Sequence, residues 1–219
     1  MDLYTFLISA LQQKETMELM RLGIVYVHLI ACCVAIGLVL TSDIAMVKQL
    51  LKGEGAKQCS EHLEHLKNVV GFSLLVLWIS GIAIIALDAS SAGMQYFLNP
   101  KLQAKISIVV LLTINGVVLH NLVLPALQKT GSLLKLPVSM RNLAIFSGAL
   151  SGVSWFYAAL LGVGRPQAWK YSLVELMAAY PVMIVGGALA MLALTKWSMS
   201  RSEEHHQSWM QSNYALATR

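Results

Sequence analysis

Residues 101–125 read KLQAKISIVVLLTINGVVLHNLVLP. From Ala104 onward the stretch is apolar enough to cross a membrane, yet it carries Lys105, Asn115 and His120. A hydrocarbon core of ~30 Å needs about 20 mostly apolar residues in helical form. Four further stretches meet that requirement, so the spans fall at about 22–42, 68–88, 104–125, 142–163 and 173–195. Each is a continuous apolar run rather than an alternating one, which excludes a membrane β-barrel. The reading is an all-α integral membrane protein, a bundle of five transmembrane helices in a single domain over residues 1–197.

Composition agrees. The chain is 57% hydrophobic and 12% charged, against about 25% charged in ordinary soluble domains, and its mean hydropathy is +0.64. The first residues, MDLYTFLISALQQKETMELMR, lack the basic start and cleavage site of a secretory signal. Leu3, Phe6, Leu7 and Leu11 have helical spacing, which predicts a short amphipathic helix lying on the membrane surface. Residues 198–219 are polar and are expected to form a disordered tail. Interfacial aromatics (Trp169, Tyr171, Trp197) stand at span ends.

Orientation follows from basic residues. Lys14, Arg21, Lys101, Lys105, Arg165 and Lys170 share the N-terminal side, six in all. The other side holds ten: Lys48, Lys52, Lys57, Lys67, Lys129, Lys135, Arg141, Lys196, Arg201 and Arg219. The positive-inside rule predicts an outer N-terminus and a cytoplasmic C-terminus, as in a bacterial-type inner membrane. The net charge of +5 then faces anionic lipid, so the expected partner is the bilayer and not nucleic acid. Three cysteines give no disulfide framework, since Cys32 and Cys33 lie in the first span and Cys59 faces the reducing side.

Ionisable groups inside spans are costly, which makes them the candidates for function. Counting 1.5 Å per residue, His28 lies about 9 Å below the outer boundary. Lys105, Asp88 and Glu175 fall in the same outer third on three other helices, so the four could line one cavity. Asp88 and Glu175 would then be the catalytic, proton-handling groups. The plainer readings are side chains reaching to headgroups for Lys105, Asp88 and Glu175, and a neutral imidazole bonded to a neighbouring helix for His28. On the inner side, CSEHLEHLK places Cys59, His62 and His65 along one helix, with His120 expected at the level of His65. Two histidines on adjacent helices can hold a b-type haem; a solvated helix face is the plainer alternative. Asn115 is expected to bond to a neighbouring helix. Gly148 and Gly152, beside Ser147 and Ser151, let helices approach closely, within the bundle or between copies of the chain. Pro181 and Gly186–Gly187 predict a kink in the last span.

VHLIACCVAIGLVL in the first span and LQAKISIVVLLTINGVVLH in the third resemble the membrane-bound, haem-containing protoporphyrinogen oxidases (the HemJ type) and the copper-resistance D (CopD) type proteins; LVLPAL after His120 is similar to the latter branch. The resemblance covers about residues 21–128. It implies a helical bundle holding haem b or a metal through His28 and Lys105. The chain departs from the pattern at CCVAIG, where a Trp is expected near the Gly, and at Ser42–Asp43, where an Arg is expected. It also lacks a His near Asn115–Gly116 and adds a fifth span.

Three functional expectations follow. The first is a haem b protein in electron transfer or oxidation of a membrane-accessible substrate, with a membrane redox partner or quinone. The second is a copper or small-solute transporter, with His28, Cys32, Cys33 and methionines as soft ligands. The third is a non-catalytic subunit or assembly factor of a membrane complex.

Overall fold

A computed structural model describes residues 14–52, 60–164 and 170–217. The expected surface helix (residues 1–13), Cys59 and the side chain of His62 lie outside the described residues. Among these residues there is no strand, and five helices are long and apolar enough to cross a membrane. The molecule is a multi-pass, all-α membrane bundle.

The first span is α1, Lys14–Lys52. Its 39 residues rise about 58 Å, well beyond a ~30 Å hydrocarbon core. No proline interrupts it, and apolar residues resume after Asp43 as Ile44, Ala45, Met46 and Val47. The second span, α2 (Ser60–Ala92), starts well before its apolar run, as its polar first turns suggested. It runs antiparallel to α1, with Arg21 beside Asp88 at one end and His28 beside Ser80 further in. At its end Gly93 takes φ 71°, ψ −169°, backbone angles that only glycine adopts without strain. A 3-10 turn at Met94–Leu98 follows, and Asn99 caps the next helix by accepting from the Lys101 N–H.

The third span was expected to end at Pro125, and it does not. α3 (Pro100–Val118) passes through a π-helical turn at Leu119–Val123 into α4 (Leu124–Thr130). Pro125 has no N–H to give back along the helix. The wider turn, in which the Leu124 N–H reaches Leu119 O, carries the chain past the proline. Gly131, at φ 71°, then ends it.

The fourth span is α5, Val138–Val163. It packs against α1, α3 and the last span, so it is the central helix. Its small residues permit this, since Ser147 and Ser154 are fully buried. The fifth span is α6 (Leu173–Met177) and α7 (Ala179–Ala217), interrupted at Ala178. Pro181 cannot donate to the carbonyl of Met177, and the ladder opens there. The Tyr157 hydroxyl donates to Leu176 O at 2.7 Å across this break. The helix runs on through Gly186–Gly187 to Ala217, where a disordered tail was expected. Residues 198–217 contain neither Gly nor Pro, so nothing in the backbone chemistry stops the helix.

Lipid is as apolar as leucine, so packing and polar contacts hold such helices together. Asn115 Nδ2 donates to Ser147 O at 2.9 Å, the interhelical bond expected from the sequence. Trp78 Nε1 donates to Thr113 Oγ1 at 3.0 Å, and the Ser154 and Tyr180 hydroxyls meet at 2.8 Å.

Candidate functional site

The four outer residues do not converge. Asp88 is held in a bidentate pair by Arg21, at 2.6 and 3.2 Å, and accepts from the Tyr96 hydroxyl at 2.9 Å. With three donors already upon it, this carboxylate locks α1, α2 and the following turn together and is not a proton-handling group beside His28. Glu175 is exposed and folds back on its own helix: it accepts from the Ser172 N–H at 2.8 Å, while Ser172 Oγ accepts from the Glu175 N–H. This is a capping box, which satisfies otherwise orphaned donors at a helix start. The contacts that Asp88 and Glu175 make are those of helix pairing and helix capping.

His28 and Lys105 are brought together. The Lys105 ammonium acts electrostatically on both the His28 ring and the Cys32 thiol. Nδ1 of His28 lies 2.8 Å from Ser80 Oγ, and Ser80 donates its single proton to Val76 O at 2.6 Å. With the Ser80 proton on Val76 O, the Ser80 oxygen accepts from Nδ1–H and Nε2 presents a lone pair. Cys32 is half-buried and Cys33 exposed. No three His, Cys, Asp or Glu side chains converge as a metal site among the described residues. Lys101 is one signal missed in the sequence: its buried ammonium donates to Gly164 O at 2.6 Å and ties α3 to the end of α5.

The inner histidines separate. His120 sits in the π-turn level with Gly71, where an added Cβ would stand 3.7 Å from its ring. His65 is exposed and lies six residues further along α2, about 9 Å in rise. His120 thus packs against Gly71 and not directly beside His65.

The half of the bundle that holds Lys67 and His120 contains a cavity of about 320 Å³, to which all five spans contribute. Its wall is mostly apolar, with Val39, Met46, Leu119 and Met191 prominent. The polar groups facing it are Ser42 and Asp43 from α1, Lys67 from α2, His120 from the π-turn and Ser151 from α5. Asp43 is half-buried and reaches across to α5. Its Oδ2 would lie 3.3 Å from a Cβ at Gly152, which stands midway along α5. No ion pair or hydrogen bond reaches the Asp43 carboxylate among the described residues; their single salt bridge is Arg21–Asp88. Gly148 and Gly152 line this cavity, so the face considered for contact between copies is occupied by the chain's own α1.

Asp43 was missed because hydropathy ended the first span at residue 42. The signal was present: Val39, Met46 and Val47 fall three and four residues from Asp43, an apolar helix face around a carboxylate. The cavity itself left no signal, since it is made by five segments far apart in sequence.

No protein-family profile, curated protein or solved structure matches this chain. The likeness to the haem and copper-resistance proteins rests on the short motifs quoted above.

Proposed function

We propose that the chain is a membrane transporter or carrier that takes a small, largely apolar solute into the cavity between its helices. The observation that carries this reading is the cavity itself, lined by residues of all five spans and presenting Asp43 and His120 on an apolar wall. Its volume falls in the range of small-molecule sites, which are mostly apolar with a few convergent polar groups. An ionisable side chain inside a span and facing a cavity is the usual mark of a solute or proton path. The ten-against-six distribution of basic residues supports placing the Lys67 end in the cytoplasm of a bacterial-type inner membrane. The test is to fill the space. Gly148 lines the cavity and an added Cβ there meets nothing within 4 Å. Gly148→Leu should therefore fold normally and abolish solute binding, read as the loss of ligand-induced thermal stabilisation. If Gly148→Leu is stabilised by solutes as much as the wild type, this cavity is not the binding site.

A second reading is favoured by His28. An imidazole whose Nδ1–H is fixed by Ser80 offers Nε2 as a ligand atom, the arrangement that orients metal-bound histidines. His28 would be a residue to hold the iron of a haem b, and Lys105 the one to meet a propionate. Bound there, the haem would supply one-electron transfer, and Ser80 would fix the His28 ring. A reduced-minus-oxidised spectrum of the purified protein tests this, and His28→Ala should remove any b-type band.

A further inference from the structure

The cavity holds a carboxylate whose charge nothing nearby balances. Asp43 stands against the midpoint of α5, and no cation pairs with it among the described residues. The titratable groups that face the cavity are Lys67 from α2 and His120 from the π-turn; α5 and α7 contribute none. Lys67 is exposed and acts electrostatically on His120, and it forms no ion pair with Asp43. An ionised carboxylate inside a membrane must be neutralised by a proton or a cation. The wall around it is mostly apolar, which suits an organic group better than a hydrated ion.

We infer that Asp43 binds lipophilic organic cations and releases its proton when they enter, which makes the cavity a proton-for-cation exchange site. The inference rests on the cavity reading above and names its substrate class. In the exchange no covalent bond other than O–H changes. The Asp43 carboxylic acid loses its proton to solvent, and the cation takes its place beside the carboxylate. Met46, Leu119 and Met191 cover the apolar part of the ligand. Protonated His120 would repel the cation, which biases the site towards release when the pH falls; the Lys67 charge is constant and favours release at any such pH. Among the described residues Asp43 is the one carboxylate on the wall, so it supplies the site for the cation.

The test uses the full chain in detergent, with tetraphenylphosphonium as the cation and triphenylphosphine oxide as a neutral analogue. Titration calorimetry should show cation affinity rising with pH, by up to about tenfold per unit where Asp43 is protonated. A weakly buffered sample should release up to one proton per cation bound. Asp43→Asn should lower cation affinity by about 30-fold or more and abolish its pH dependence, while the neutral analogue still binds. Asp43→Glu should retain the exchange, and His120→Gln should keep the pH slope. Helicity and a monodisperse elution profile establish that each variant is folded. Cation binding by the wild type that ignores pH and releases no proton overturns the inference, as does an Asp43→Asn variant with unchanged affinity. In either case, binding of the neutral analogue leaves the cavity reading standing. If neither compound binds the wild type, both fail.

Discussion

The Asp43 carboxylate packs against Gly152 so closely that a Cβ at that glycine would stand 3.3 Å from Oδ2. Few real contacts are tighter, so the carboxylate depends on a missing side chain one helix away. The α1–α5 contact and the chemistry of the cavity thus share one position.

Gly152→Val should therefore displace Asp43 and destabilise the bundle by about 1–3 kcal/mol, the usual cost of overpacking. Gly148→Ala, four residues earlier, has open space and should change stability by under about 0.5 kcal/mol. Thermal unfolding of both variants in one detergent separates these outcomes. Equal melting temperatures would show that the carboxylate moves aside freely.

Asn115→Leu removes the bond to Ser147 O that joins α3 to the central helix. Interhelical hydrogen bonds in membranes contribute ~0.6–2 kcal/mol, and the variant should lose that amount in a reversible unfolding assay. His28 chemistry should be untouched, since this bond joins α3 to α5 whereas the His28–Ser80 contact joins α1 to α2.

Tyr96 lies between spans and has a distinct pH signature. Burial first, then its hydrogen bond to Asp88 and that carboxylate's charge, push the phenol up to about 12 from an ordinary 10.0. The folded state favours the neutral phenol. Its contribution to stability is therefore complete below pH 10.0 and is lost as the pH rises through about 12. Ultraviolet titration should show one late-ionising tyrosine that disappears in Tyr96→Phe. Asp88→Asn should bring the transition down toward the ordinary value.

A reporter fused after Arg219 should behave as cytoplasmic, because ten basic residues lie on that side against six on the other. Activity on the outer side would invert the orientation and place the Asp43 cavity in the outer half of the membrane.

The five spans, the all-α class and the Asn115 bond were legible in the sequence, because each follows from local quantities. A continuous apolar run must be helical in lipid, and an amide within it must find a partner on a neighbouring helix. Span limits were less legible. Hydropathy marks where lipid contact ends and not where the hydrogen-bond ladder ends, so α1 outran its apolar core and α7 continued into polar sequence. Pro125 also failed as a boundary, since a π-turn let the helix pass it and turned His120 toward Gly71 rather than His65. Depth counting put His28, Asp88, Lys105 and Glu175 at one level, but level is only one coordinate. Helix rotation and the local appetite of each group for partners decided the rest: Arg21 and Tyr96 took Asp88, Ser172 took Glu175, and Ser80 took Nδ1 of His28. By itself the sequence determined that this chain crosses the membrane five times as helices and holds ionisable groups there. Only the tertiary structure decided which of them face one space, because a cavity is a property of five helix faces meeting, and no single segment encodes the rotation of the other four.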